Sequence, residues 1–190
     1  FSPNKIQCTQ NALELGGLFS SVSIVYPDTV SEDESLPVTI EVKEAKARSI
    51  GFGGNYETQR GFGVSAEWAH RNLTGMGDRL GVQTSLWMTK QYAQLSYVQP
   101  DFGMPKQDLV WTADYLREKD IGYTETSYSL SGMLVRQVNK CLNLSAGLMY
   151  KHLIDTDFYE GSTHSAQKVG HETFDLIKTP IFAYWNRSDS

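Results

Sequence analysis

Three groups of side chains in this sequence have types that could do chemistry. Gly51-Phe52-Gly53-Gly54, Gly61-Phe62-Gly63 and Gly75-Met76-Gly77 look like loops that cradle phosphates. His152, His164 and His171 lie close enough in the chain to suggest a metal site. Glu67, Asp114 and Glu118 could supply an acid and a base for hydrolysis. None of the three groups is completed by its neighbours. A dinucleotide loop needs a helix after it and a βαβ unit around it; these glycines stand in alternating sequence and read as bends and close backbone approaches. The histidines lack ligand spacing and a partnering cysteine, so they read as exposed side chains in or around a loop over residues 160–170. No nucleophile stands beside a base, so the carboxylates read as solvated charges on the inside of a larger structure. No catalytic residue, cofactor or metal is expected, and the chain is not expected to be an enzyme.

The composition narrows the classes further. There are 17 basic and 22 acidic residues, a net charge of -5, and no basic run, so nucleic acid is not an expected partner. The two cysteines, Cys8 and Cys141, lie far apart outside any metal or redox spacing and read as separate thiols. No segment has the ~20 consecutive apolar residues of a membrane helix. The chain opens at Phe1 without a leader pattern and stops at Asn186-Arg187-Ser188-Asp189-Ser190 without a terminating feature, so it reads as a piece of a longer protein.

Two regions have to position these residues. In residues 1–46, a short helix is predicted from Pro3 to the stop at Gly16-Gly17, then a strand over 20–26, an acidic connector from Pro27 to Pro37, and a strand over 38–44. That order is the closing half of a small α+β module. From residue 47 to 190 the pattern becomes repeated period-two alternation. Phe62, Val64, Ala66 and Trp68 alternate with Gly63, Ser65 and Glu67; Leu80, Val82, Leu86 and Met88 with Gly81, Gln83 and Ser85. The same holds for Ala93, Leu95 and Tyr97, for Leu109, Trp111, Ala113 and Tyr115, for Tyr128, Leu130 and Leu134, and for Leu142 through Tyr150. A last strand over 173–185 is blurred by Pro180. This gives about eight consecutive strands, many of ~9–12 residues, suited to a tilted membrane crossing. Turns are expected near Gln59-Arg60-Gly61, Gly75-Met76-Gly77-Asp78, Lys90-Gln91, Gly103-Met104-Pro105, Asp120-Ile121-Gly122 and Asn139-Lys140.

Apolar residues on one face and Gly, Ser, Gln and Asn on the other is the pattern of a barrel with lipid outside and water inside. A soluble sandwich or lipocalin-like barrel also alternates, but its inner face is a packed core. Aromatics near strand ends, among them Trp68, Trp87, Tyr92, Trp111, Tyr150 and Trp185, are expected to mark the membrane interfaces.

The joint between the two regions resembles the Omp85 superfamily of outer-membrane assembly factors. Gly17-Leu18-Phe19-Ser20-Ser21-Val22 resembles the helix-to-strand passage of a POTRA (polypeptide-transport-associated) domain, and Val38-Thr39-Ile40-Glu41-Val42-Lys43-Glu44 its last strand. Ser49-Ile50-Gly51-Phe52-Gly53-Gly54-Asn55-Tyr56 resembles the first barrel strand. The tract Arg71-Asn72-Leu73 with Gly75 and Gly77 resembles the periplasmic turn between the second and third. Gln94-Leu95-Ser96-Tyr97-Val98-Gln99-Pro100 and Tyr184-Trp185-Asn186-Arg187-Ser188-Asp189 are most similar to the TamA branch of the superfamily.

The resemblance implies the C-terminal part of a periplasmic POTRA domain over residues 1–46 and about eight of sixteen barrel strands over 47–190. It implies a bacterial outer-membrane protein that inserts unfolded outer-membrane clients, autotransporters among them. Its partners would be those clients, outer-membrane lipid and a periplasm-spanning TamB-like subunit. The glycines of the first strand weaken its pairing, so this strand is expected to line a lateral gate at which client strands add; the other reading is that they only relieve crowding or allow inward curl. The alternative is a passive pore or a two-partner-type secretion channel of the same superfamily.

Overall fold

The protein is described from a computed structural model covering residues 3–15, 17–25, 38–58, 60–139, 141–160 and 166–185. Helix α1 runs Pro3–Leu15. Proline suits a first helical turn, where its missing N–H is not needed. Gly17, at φ +67°, turns the chain out of the helix and donates its N–H to the Glu14 carbonyl at 3.2 Å. Strand β1 (Phe19–Val25) then pairs antiparallel with β2 (Thr39–Glu44), with Val22 opposite Val42 and Ile24 opposite Ile40. The helix lies along this hairpin, and the Gln10 side-chain amide donates to the Val22 carbonyl at 3.2 Å. The acidic connector expected between the two strands, Pro27 to Pro37, lies outside the described residues.

A single antiparallel sheet follows: β3 (Arg48–Glu57), β4 (Gly61–Arg71), β5 (Arg79–Trp87), β6 (Lys90–Gln99), β7 (Gln107–Asp120), β8 (Tyr123–Gln137), β9 (Leu142–Glu160), β10 (Ala166–Lys178) and β11 (Ile181–Trp185). Each of β3 to β10 pairs with its sequence neighbour, and β11 returns to β9. The two short final elements are halves of one strand, because Lys178 faces Met149 and Ile181 faces Ala146 in an unbroken register. Pro180 interrupts the ladder because it has no N–H. Its carbonyl still accepts from the Gly147 N–H at 3.0 Å.

The register separates two faces. One carries Ile50, Phe52 and Tyr56, then Trp68, Val64 and Phe62, then Val82 and Leu86, and continues through Leu95, Trp111, Leu130 and Leu148. All but Trp68 of these large apolar side chains are substantially exposed, Phe52 by 78%. The other face carries Glu67, Ser65, Gln83, Gln94, Asp114, Ser129 and Lys151, and hollows open along it. Among the described residues Val22 is the only buried apolar side chain, so the large sheet has no dry core of its own. A soluble sandwich would bury the very residues that this sheet turns outward.

Several boundaries differ from those the sequence suggested. The loop expected over residues 160–170 is mostly hairpin: β9 continues to Glu160 and β10 begins at Ala166. These residues lack the apolar alternation that marks a strand, yet they carry the pairing on beyond the apolar zone. Lys90 and Gln91 are the first residues of β6, and the turn lies at Met88 and Thr89. Gly61 opens β4 at φ +76°.

Candidate functional site

Strand β3 forms one edge of the sheet: among the described residues only β4 pairs with it. Its ten residues are exposed or half-exposed throughout. Ser49, Gly51, Gly53 and Asn55 face inward, and Ile50, Phe52, Gly54 and Tyr56 face outward. Two of its glycines answer to crowding. A Cβ on Gly51 would stand 2.6 Å from a Glu67 carboxylate oxygen, and one on Gly53 would stand 2.8 Å from the Ser65 hydroxyl. Both obstacles are the ends of movable side chains. Gly54, on the outer face, has nothing nearer than 3.8 Å, so no steric need explains it. Without a Cβ, the backbone at these positions is less constrained and its pairing weaker.

Next to this edge, a hollow of about 320 Å³ opens on the inner face, lined in part by Ser49, Glu67, Arg71, Arg79, Gln83 and Gln94. Further round, Asp114 accepts hydrogen bonds from the Tyr92 hydroxyl (3.0 Å), the Gln94 amide (2.7 Å) and the Ser129 hydroxyl (3.1 Å). Three donors leave that carboxylate little freedom to act as a base. Glu118 lies 3.5 Å from both Arg60 and Lys90, and Glu125 lies 3.4 Å from Lys151. The register also aligns Glu118, Glu125, Asp155 and Glu172 on four neighbouring strands, which no spacing in the sequence announces. Like charges directly opposite repel, and Arg60, Lys90 and Lys151 offset part of that repulsion. Glu67, Asp114 and Glu118 thus share one face, but Asp114 and Glu118 are tied into separate networks.

The turn between β4 and β5 is built around Asp78, which is fully buried. Its Oδ1 accepts the Thr74 N–H and the Thr74 hydroxyl, each at 2.9 Å. Burial alone would raise its pKa; the hydrogen bonds from Thr74 and from its own N–H, with a smaller contribution from the Tyr97 hydroxyl, outweigh that and hold it below the usual carboxylate value. Asn72, at φ +59°, accepts the Gly77 N–H on its side chain at 2.9 Å. Gly75 and Gly77 take φ of +87° and +77°, which glycine adopts without strain. Leu73 stays half exposed. The turn also meets the small module: Arg71 donates its backbone N–H to the Ala47 carbonyl at 2.7 Å and its guanidinium to the Lys46 carbonyl at 3.2 Å.

The aromatic side chains divide between the faces. Trp68, Trp111, Tyr150 and Trp185 face outward with the apolar zone. Trp87 and Tyr92 do not. Trp87 lies over Gly63 on the inner face, where a Cβ on Gly63 would fall 2.5 Å from the indole. Tyr92 turns inward to Asp114. Trp111 sits mid-strand and covers Gly132, and Tyr115 and Tyr128 stack with ring centres 5.3 Å apart.

The expected loop histidines are strand residues. His152 pairs its Nδ1 with Asp175 at 2.7 Å, and His171 lies 3.3 Å from the Thr156 hydroxyl. His164 lies outside the described residues. The described residues hold no cluster of metal-ligating side chains. Cys141 is a free, exposed thiol, and the Cys8 side chain lies outside the described residues.

This geometry has counterparts among known proteins. The chain superposes with a TM-score of 0.73 on the crystal structure of BamA from Haemophilus ducreyi lacking POTRA domains 1-3, at 20% identity. The match covers 97% of this chain and 38% of that one, so it establishes the fold of a part. The Omp85 superfamily domain model matches residues 72–190, from the turn between β4 and β5 onward. A match over that much of the sequence, on a sheet folded in the same way, makes this chain a member of the Omp85 superfamily.

Proposed function

We propose that this chain is part of a bacterial outer-membrane assembly factor and that β3 is the edge at which client strands add. The supporting observation is the make-up of β3: a strand with three glycines, of which Gly54 answers to no crowding, borders a sheet with one apolar and one wet face. Backbone N–H and C=O groups left unpaired in hydrocarbon are unfavourable by several kcal/mol each. An incoming strand satisfies them by augmentation, so the edge favours a β-strand partner over any other ligand. Nothing in this route requires bond chemistry, and the reading is of a non-enzymatic factor without a cofactor.

In this reading residues 1–46 belong to a POTRA domain in the periplasm, joined to the sheet through Arg71 and the carbonyls of Lys46 and Ala47. The remainder of a sixteen-strand barrel follows the described sheet, outer-membrane lipid covers the apolar face, and the clients are unfolded outer-membrane proteins. The similarity of residues 94–100 and 184–189 to TamA favours that branch, with autotransporters as clients and a TamB-like subunit at the periplasmic module.

The test is made in the full-length protein. Cysteines at Ser49 and Asn55 are paired by oxidation with cysteines on the strand that closes the barrel. Locking is expected to stop client assembly, and reduction to restore it. Client assembly at the unlocked rate with the seam fully oxidised defeats the gate. A steady conductance that carries substrate through the locked barrel would instead identify a passive pore.

A further inference from the structure

On β7 and β8 the outer face changes chemistry at one level. On β7 the apolar residues Leu109, Trp111, Ala113 and Tyr115 are followed on the same face by Arg117 and Lys119. On β8, Tyr128 is followed by Thr126 and Thr124, and β9 places Thr156 beside Thr124. His171 on β10 closes the row from the other side, 3.3 Å from Thr156. All of this lies at the end of the sheet away from Arg48 and the small module.

Arg117 and Lys119 are exposed, and among the described residues neither has an acidic partner. Among the described residues at this end, Glu118 and Glu125 point to the opposite face, where lysine and arginine already hold them. Asp175, an outward carboxylate near the row, is engaged by Tyr150 and His152, both at 2.7 Å. Among the described residues the strip therefore offers two cations without an acidic partner beside the hydroxyls of Thr124 and Thr126, with Thr156 held by His171, directly above an apolar zone.

We infer that this strip binds the phosphorylated headgroup of a lipid in the leaflet farther from the small module. A guanidinium forks onto phosphate oxygens and an ammonium adds a point charge. Threonine hydroxyls suit the remaining phosphate oxygens and sugar hydroxyls. Neighbouring strands lie ~4.8 Å apart, so the strip from β7 to β10 spans three such spacings, roughly 14 Å, the width of a headgroup rather than of a single free ion. The apolar residues below it, from Tyr115 to Leu109 and from Tyr128 to Leu134, fix the source as a lipid: one molecule satisfies both zones at once. This inference takes only the membrane setting from the proposed function, not the gate.

The test uses the purified full-length protein in detergent. Retention of a diphosphorylated glucosamine glycolipid (lipid A) is titrated by native mass spectrometry beside its dephosphorylated form and phosphatidylethanolamine. The double variant R117Q/K119Q is expected to weaken lipid A retention about tenfold or more, since two charge-assisted contacts are lost. Retention of the dephosphorylated form is expected not to change, and that of phosphatidylethanolamine, with its single phosphate, to fall less than that of lipid A. T126V/T156V, which keeps both cations, is expected to weaken lipid A less.

Equal retention of lipid A by wild type and R117Q/K119Q overturns the site, as does equal retention of the phosphorylated and dephosphorylated lipids. Displacement of lipid A by millimolar inorganic phosphate overturns the lipid as the occupant. Both variants are checked for the heat-dependent gel mobility of a folded barrel, which changes at exposed outer positions should leave intact. Client assembly is measured separately, so the lipid site and the gate can fail independently: a barrel that holds lipid A but assembles nothing refutes only the gate.

Discussion

At the scale of single residues, the turn and the inner face make the sharpest demands. Asp78 is buried with its carboxylate bound to Thr74, and its pKa is held below the usual carboxylate value. The unfolded chain therefore takes up this proton at a higher pH than the folded chain does. The stability it provides is present above about pH 4 and is lost as pH falls through the lower folded value. D78N keeps the shape but removes the charge, and we expect it to destabilise the turn by about 1–3 kcal/mol. Urea titration of the full-length protein from pH 6 to pH 3 checks this; a variant as acid-sensitive as wild type would mean that Asp78 is not the group responsible. Gly63 makes a steric demand. A methyl there would overlap the Trp87 indole at 2.5–2.8 Å. We expect G63A to displace Trp87, shift its fluorescence and destabilise the sheet by about 1–3 kcal/mol. G54A, with nothing nearer than 3.8 Å, is expected to leave fluorescence and stability near wild type.

At the scale of elements, the alternation carried most of the strand assignment, because a half-wet sheet writes its two faces into every second residue. It also carried information that an aromatic-girdle reading overrides. Leu86 and Met88 face outward, so Trp87 between them faces inward; Ala93, Leu95 and Tyr97 place Tyr92 inward in the same way. Aromatic character alone cannot separate an interface residue from one that covers a glycine. The ends of β9 and β10 were hidden for another reason: beyond the apolar zone both faces are polar, and alternation has nothing to contrast. The row of Glu118, Glu125, Asp155 and Glu172, and the three donors on Asp114, depend on register between strands, which one sequence does not encode locally. The final strand was blurred because Pro180 splits it and because Phe174, Leu176 and Phe182 put apolar side chains on the inner face as well. The register is continuous across Pro180, so the break is local. We expect P180A to join β10 and β11 without a slip, adding slow hydrogen exchange at the new amide. A changed exchange pattern along β9 would show that the proline sets the register.

At the scale of the whole molecule, the sheet has the faces of a membrane protein but two unclosed edges. Among the described residues β3 and the β10/β11 strand each pair on one side only. In water, the outward Ile50, Phe52, Leu148 and Ile181 would stand exposed with the rest of the apolar face, the kind of surface that soluble monomers keep small. In lipid that surface is satisfied, but the free edges would leave two rows of backbone groups without partners. Neither solvent suits residues 1–190 alone; lipid together with edge partners suits them. We therefore expect the isolated chain to aggregate in buffer, and in detergent to pair its edges between copies rather than remain a monomer. Full-length protein in the same detergent is expected to be monomeric and to show heat-dependent gel mobility. A chain of 190 residues that stayed monomeric and cooperatively folded in detergent-free buffer would require the outward apolar zone to be covered by the chain itself, and the membrane reading of this sheet would then be wrong.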